Sequence, residues 1–396
     1  MTDKNFRWAR RWGLGGVAGA LLTALLVAAC GGGGGVGTGG ATASAFTTGP
    51  IGGFGSIIVD GVRFDDSSAV IEDDDGNRGS SASLKLGMMC DIDSDTIDDS
   101  TGRAKARHIR FGSEIIGPVA TVDTTAGTFT VLDQTVEVRP ETVIEASLGT
   151  LADFAGKLVE VHALFQASSG HYIATRIEDA TGAAFFKLRG LISALDTSAK
   201  TFKIGDALIS YANVADADLP AGFADGLRVR VRLQTVQVAG AWVATSIRSG
   251  VRKVEDHDDA RLRGTVTAFT DATHFEVNGI AVDASAARID NGPVTAGARV
   301  EVRGTAAAST IAATRVTVLL ADDDAIRGIE LHGTASALDT TAKTFVLRGI
   351  TVNYGGTVVF KDGTAAQLAD GVQLEVKGVL SADRSTLAAA VIEFEN

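Results

Sequence analysis

Cysteine is almost absent from this chain of 396 residues, which excludes a fold held together by disulfide bonds. The two cysteines, Cys30 and Cys90, stand in regions of very different composition. Proline is also scarce, with five residues, and helix-forming runs rich in Lys and Glu are few. Val, Ile, Thr and Gly are abundant instead, and this composition favours many short β-strands.

Basic residues are fewer than acidic residues: the chain has 36 Lys and Arg and 48 Asp and Glu, which gives a formal net charge of −12. Nucleic acids are bound through clustered Lys and Arg, so we expect no nucleic-acid partner. The HExxH, GxSxG, P-loop and dinucleotide motifs are missing. None of the six histidines has a metal-ligand or catalytic spacing. We therefore expect no enzyme, no catalytic residues and no organic cofactor.

The N-terminal segment has the layout of an export signal. Four basic residues within the first eleven precede an uncharged apolar stretch from Trp12 to Ala29. Its apolar part is shorter than the roughly 20 residues of a membrane-spanning helix. The sequence Val27–Cys30 resembles a bacterial lipobox, which implies a lipoprotein signal peptide at residues 1–29 and acylation of Cys30, detectable as palmitate incorporation. Gly31 stands where inner-membrane lipoproteins usually have Asp, so the resemblance implies an outer-membrane lipoprotein.

A flexible tether is predicted next, because residues 30–48 are mostly Gly, Thr, Ala and Ser. We therefore expect the membrane to be a partner through the lipid anchor. The protein would be localised in the cell envelope, facing the periplasm or the cell surface.

An internal repeat of about 70 residues organises the rest of the chain. Each unit opens with a glycine and an alternating strand, at Gly49, Gly117, Gly190, Gly264 and Gly333. A hairpin follows, often with a two-residue turn such as Asn-Gly or Asp-Gly, and then a short, weakly helical step and two strands. This order predicts an all-β fold, a string of five-stranded OB-like barrels. SH3-like barrels and small sandwiches are the alternatives.

The repeat also sets the predicted domain boundaries. The barrels are expected at residues 49–114, 115–184, 185–253, 261–320 and 327–396. Acidic runs at residues 254–260 and 321–326 are interpreted as hydrated linkers between barrels. Cys90 falls where the other units have Val or Leu, so we interpret it as a small buried hydrophobic residue rather than a redox-active thiol.

The stretch GPIGGFGSIIVDGVRFD at Gly49–Asp65 resembles a bacterial envelope lipoprotein family built from repeats of an OB-like domain of unknown function. The resemblance covers essentially everything after the tether. It implies the barrel fold and the envelope location, and it carries no known catalytic residues.

One acidic cluster stands out in the first unit. Asp91, Asp93 and Asp95 alternate along its fourth strand, so their carboxylates are expected to share its outer face, near the acidic run at residues 72–75. Several oxygen donors on one face could hold Ca²⁺. The alternative interpretation is a solvated acidic surface.

Aromatic side chains that could stack on a sugar are few, namely Trp242, Tyr172, Tyr211, Tyr354 and a few Phe. We interpret Trp242 as a core residue. The preferred function is a non-enzymatic binding or structural module in the envelope, with an envelope protein or a glycan as its partner. The alternatives are a calcium- or glycan-binding envelope protein and, more weakly, an enzyme with its site at a barrel interface.

Overall fold

The computed structural model describes residues 44–54, 56–98, 100–252, 254, 256–319, 329–381 and 386–395. The predicted signal peptide, Cys30, most of the tether and the second acidic linker lie outside the described residues. Within the described part, the regular structure consists of β-strands and short 3₁₀ turns. The all-β prediction is therefore confirmed. No helix in this part is long and apolar enough to cross a membrane.

The strands fall into five successive sets. Barrel 1 has β1 (Ser44–Gly53), β2 (Ile57–Val59), β3 (Val62–Asp65), β4 (Val70–Asp73), β5 (Met89–Asp95) and β6 (Arg103–Phe111). Barrel 2 has β7 (Ile115–Asp123), β8 (Thr128–Val131), β9 (Gln134–Glu137), β10 (Val143–Ile144), β11 (Leu158–Gln166) and β12 (His171–Asp179). Barrel 3 has β13 (Phe186–Asp196), β14 (Thr201–Ile204), β15 (Ala207–Ser210), β16 (Arg228–Leu233) and β17 (Trp242–Ser249).

Barrel 4 has β18 (His257–Phe269), β19 (His274–Val277), β20 (Ile280–Asp283), β21 (Arg288–Asp290), β22 (Arg299–Ala307) and β23 (Thr310–Val318). Barrel 5 has β24 (Ile329–Thr334), β25 (Ser336–Asp339), β26 (Thr344–Leu347), β27 (Ile350–Asn353), β28 (Val359–Lys361), β29 (Gln373–Leu380) and β30 (Thr386–Phe394).

Every set closes in the same order. In barrel 4, β18 pairs with β19, β19 with β20, β20 runs parallel to β23, β23 pairs with β22, and β22 returns to β18. Barrels 1, 2, 3 and 5 repeat these pairings, with β24 and β25 together forming the first strand of barrel 5. This is the order of a five-stranded OB-like barrel, so the predicted barrels are confirmed. Closure pairs most strand edges within each barrel.

Local sequence explains the hairpins. In β14, Phe202 and Ile204 are buried and Lys203 between them is exposed, as strict alternation requires. At the tip of the next barrel's hairpin, Asn278 and Gly279 both have positive φ, at 52° and 78°. Such angles suit a two-residue turn whose twist matches the flanking strands.

Four of the five barrels share a core with a neighbour. Buried apolar side chains of the described residues form three cores, one spanning barrels 1 and 5, one spanning barrels 2 and 3, and one in barrel 4. Phe46 of β1 belongs to the barrel 4 core. The chain Thr42–Asn396 is one compact unit. The fold therefore differs from a string of separate barrels.

Barrel 1 contacts all four other barrels. Its β1 runs parallel to β18 at Ala45 and Phe46 and pairs with β24 at Gly53. Arg176 of barrel 2 donates a hydrogen bond to the carbonyl oxygen of Leu86 at 3.0 Å. Ion pairs connect barrel 1 to barrel 3, as described below. Barrel 1 is thus in contact with every other barrel of the compact unit.

Two predicted connecting segments are partly strand. Residues 44–48, predicted as tether, belong to β1, and residues 257–260, predicted as linker, belong to β18. These residues extend strands of their own barrels, β1 along β5 and β18 along β22, and the two extensions also pair with each other. In the second segment His257 is buried and lies 2.9 Å from Asp93, whereas Asp258 is exposed.

Candidate functional site

A cleft of 340 Å³ lies between barrel 1 and barrel 3. One wall is the acidic loop at residues 72–76, which begins in the last two residues of β4. The other wall is rich in arginine and includes Arg189, Arg230, Arg248 and Arg252. The cleft is therefore a place where two oppositely charged barrel surfaces meet.

Asp73 fixes the shape of the acidic loop. Its Oδ1 accepts hydrogen bonds from the backbone N–H groups of Asp75 and Asn77, at 2.8 and 2.9 Å. A carboxylate that bonds to its own following backbone is a common way of stabilising a tight turn. The turn leaves Asp74 and Asp75 to contact barrel 3.

Asp74 is surrounded by cations. Its carboxylate lies 2.9 Å from Arg189, 3.4 Å from Arg230 and 3.5 Å from Lys187. Burial alone would raise the pKa of Asp74, but the nearby cations, Arg189 foremost, outweigh burial and hold that pKa well below its usual range. Asp74 is therefore ionised at neutral pH and is a poor general acid or base.

Asp75 extends the same ion-pair network. Its Oδ1 lies 3.0 Å from Nη2 of Arg230, and its Oδ2 accepts a hydrogen bond from Arg232. Arg248 lies further away, at 3.8 Å. Arg230 is buried, so its guanidinium needs these acidic partners to offset the loss of water.

Arg252 lies at the centre of the network. Its Nη1 is 3.2 Å from Asp91 Oδ1, and its Nη2 is 3.1 Å from Glu114 Oε1. Burial would lower the pKa of Arg252, but Asp91, Glu114 and Asp74 together raise that pKa. Arg252 thereby joins the end of barrel 3 to barrel 1 and to Glu114, which lies between barrels 1 and 2.

The three aspartates predicted as a calcium site do share one side of β5. Asp91 and Asp93 are each 6% exposed, however, because barrels 3 and 4 cover that face. Asp91 accepts a hydrogen bond from Thr48 at 2.6 Å and pairs with Arg252. The interpretation of a solvated acidic surface is therefore wrong for these two residues.

Asp93 and Asp95 also have cationic or imidazole partners. Asp93 lies 2.6 Å from Arg110 and 2.9 Å from His257. Burial alone would raise the pKa of Asp93, but bonding to His257 and Arg110 lowers it overall. Asp95 pairs with Arg107 at 2.6 Å near the surface. Asp93 is thus paired both within barrel 1 and with barrel 4, and Asp95 is paired within barrel 1.

Two sequence interpretations of single residues agree with the structure. Cys90 is fully buried in the core of barrels 1 and 5, and burial raises the pKa of its thiol, which disfavours the reactive thiolate. Trp242 belongs to the core of barrels 2 and 3, where its ring meets Phe186 edge-on. Tyr172, Tyr211 and Tyr354 are buried as well, so these four rings form no exposed stacking surface.

The sequence analysis did not predict one group of side chains that could bind a metal ion. Glu330, His332 and Glu375 of barrel 5 bring one ligand atom each to within 4.8 Å of one another. Glu375 is far from His332 in the sequence, and only the pairing of their strands places the two residues opposite each other. A pattern search cannot detect such a set unless the register of the strands is known.

Comparison with known proteins gives a family resemblance for three of the barrels. Residues 116–178, 263–317 and 332–393 match the family model described as Domain of unknown function (DUF5666). These segments cover most of barrels 2, 4 and 5, so the chain contains repeats similar to that domain. No curated protein matches the chain.

A structural comparison adds little beyond this. The solved structure titled drosophila Unr CSD456 is similar over 52% of this chain and 96% of its own, at 13% sequence identity. The TM-score is 0.16, which is too low to support any argument about function.

Proposed function

We propose that this chain is a lipid-anchored outer-membrane protein whose five barrels act as one rigid, non-enzymatic binding or structural module. The N-terminal sequence supports the anchor, since a basic and then apolar segment ends in the lipobox-like Val27–Cys30. The glycine-rich stretch after Cys30 would let the barrels stand away from the membrane.

The observation that carries the proposal is the use of charge between the barrels. Asp74, Asp75 and Asp91 of barrel 1 are paired with arginines of barrel 3 or its C-terminal end. A loose string of barrels would present these groups to water. Their mutual pairing holds the barrels in one fixed arrangement, as a scaffold requires.

The same geometry argues against catalysis in the main cleft. Catalytic acids and bases need a pKa near the working pH, and the cleft instead keeps Asp74 ionised by surrounding it with cations. An envelope protein is the preferred partner. A glycan would be expected to stack on exposed aromatic rings, and the tyrosines and Trp242 are buried.

Metabolic labelling tests the anchor. The full chain is expressed in a Gram-negative host supplied with labelled palmitate, beside the variants Cys30→Ser and Cys90→Ser. We expect label in the wild type and in Cys90→Ser, and none in Cys30→Ser. Label retained in Cys30→Ser would show that the lipobox interpretation is wrong.

In-cell crosslinking tests the module. We expect the lipidated chain to be recovered with a defined envelope protein. Recovery of cell-wall glycan alone would contradict the preferred partner.

A further inference from the structure

Strand pairing assembles the unassigned group in barrel 5. β24 and β29 run antiparallel, and His332 lies directly opposite Glu375. Glu330 is two residues before His332 and therefore lies on the same face of β24. The Nε2 atom of His332 is 3.2 Å from Glu330 Oε1 and 3.2 Å from Glu375 Oε2.

A further acidic residue orients the imidazole. Nδ1 of His332 lies 2.6 Å from Glu395 Oε1. When the Nδ1–H group donates to Glu395, neutral imidazole presents its lone pair at Nε2. That lone pair then faces two carboxylate oxygens, and either a proton on Nε2 or a metal ion between the three atoms relieves the repulsion.

Basic side chains also bind the carboxylates of Glu330 and Glu375. Arg63 of barrel 1 donates to both oxygens of Glu330, at 2.6 and 2.7 Å, which leaves a second lone pair on Oε1. Lys377 lies 2.6 Å from Glu375 Oε1, the oxygen that points away from His332. Metal ligands in proteins are usually fixed by such outer partners, the histidine by a carboxylate above all.

The site lies near solvent. The side chains of His332 and Glu375 are 17% and 15% exposed, and His332 and Glu395 line an open cleft of 210 Å³ that neither Glu330 nor Glu375 lines. Three protein ligands leave at least one coordination position of a tetrahedral metal for water or another small ligand. An ion could enter from solvent without displacing the core.

Among the described barrels this combination occurs in barrel 5 alone. The positions that match the His332–Glu375 pair in the other four barrels are Thr48–Asp91, Ile116–Glu160, Arg189–Arg230 and Arg263–Glu301. None of these pairs contains histidine. The same cross-strand position thus occurs in all five barrels. Among the described residues, barrel 5 alone has a histidine on one strand and a carboxylate on the other at this position.

We propose that Glu330, His332 and Glu375 bind a divalent transition-metal ion of the zinc type, with Nε2 of His332 as the nitrogen ligand. Imidazole with carboxylates suits zinc, copper, iron and nickel, whereas calcium takes six to eight oxygen ligands. The bound ion would tie β24 to β29 and, through Arg63, barrel 5 to barrel 1.

Calorimetric titration of the chelator-treated full chain with Zn²⁺ alone tests the site. We expect one equivalent to bind, and we expect His332→Ala and Glu375→Gln to weaken binding at least tenfold. Glu395→Gln, which removes only the outer partner, should weaken it by about 10- to 100-fold. Ca²⁺ and Mg²⁺ should give no saturable heat.

His274→Ala is the matched control, because His274 also lies near two carboxylates, those of Asp271 and Asp283, but is exposed. It should bind zinc as the wild type does. Circular dichroism confirms that each variant is folded, and Glu375→Gln decides the matter if His332→Ala does not fold. No zinc binding by the folded wild type, or unchanged binding by folded His332→Ala or Glu375→Gln, would overturn the proposal. The result is independent of whether Cys30 is acylated.

Discussion

Barrel 3 meets barrel 2 and barrel 1 through opposite kinds of surface. Toward barrel 2 it shares one apolar core, and β13 pairs with β7 through Leu188 and Ile115. Toward barrel 1 it presents Arg189 and Arg230 to the acidic loop that contains Asp74. Barrel 3 therefore contacts barrel 2 through apolar burial and barrel 1 through charge, although barrels 1 and 2 have the same fold.

The difference shows what each kind of contact does. Apolar burial stabilises roughly in proportion to the area removed from water. A buried ion pair gains little overall, because desolvation of both groups offsets their attraction, but losing one partner leaves an expensive unpaired charge. We therefore expect the contact between barrels 2 and 3 to supply stability and the contact between barrels 1 and 3 to fix the arrangement.

The largest effect should come from separating barrels 2 and 3. A fragment of residues 186–252 contains barrel 3 without the other half of its core, whereas residues 115–252 contain both halves. Domains of this smaller size bury a modest fraction of their surface and are marginal even when complete. Thermal melts followed by circular dichroism should show a cooperative transition for the pair and none for barrel 3 alone. Equal melting temperatures would mean that the shared core contributes nothing.

A single core truncation at the same contact should have the next largest effect. Leu188 is 0% exposed in β13, and Leu188→Ala should lower the free energy of unfolding by about 4 kcal/mol, from lost burial and the cavity left behind. Leu191→Ala on the same strand is the control, because Leu191 is 39% exposed; its effect should stay within about 0.5 kcal/mol. Denaturant unfolding measures both variants. Similar losses would contradict the apolar account.

Removing the central cation should cost somewhat less. Arg252→Ala leaves Asp91 and Glu114 buried with fewer partners, and we expect a loss of about 3 kcal/mol. Arg288→Ala removes a far more exposed arginine paired with Asp290 and should cost less than about 1 kcal/mol. Chemical denaturation at neutral pH compares the two. A negligible loss in Arg252→Ala would show that the network is not needed for the fold.

The smallest change is a shift in acid sensitivity. The folded protein holds the pKa of Asp74 below its unfolded value of 3.8. The stability gained from this depression is present above pH 3.8 and is lost as the pH falls toward the folded pKa. Asp74→Asn should therefore lose less stability than the wild type between pH 5 and pH 2. Parallel pH profiles, measured by thermal melts, would rule out a role for Asp74 in acid sensitivity.

Alternation and turn chemistry were enough to predict the barrels. Phe202, Ile204 and the Asn278-Gly279 turn follow local rules that need no knowledge of neighbours. The contacts between barrels could not be predicted in this way. Asp91 and Asp93 were identified as a group on one face, but only the assembled structure shows that Arg252 and His257 cover that face.

The histidine of barrel 5 illustrates the same limit. His332 has no ligand spacing along the chain, and Glu375 becomes its neighbour only through the register of β24 and β29. Local sequence determines which face a side chain occupies. It does not determine which distant strand or barrel lies opposite.

The central claim is that five repeats fold into one body, and small-angle X-ray scattering tests it most directly. For residues 42–396, which form the compact unit, a single compact domain of this length has a radius of gyration of about 20 Å. We expect that value, with one maximum in the distance distribution. A radius half as large again, with several maxima, would show a string of independent barrels and contradict the account.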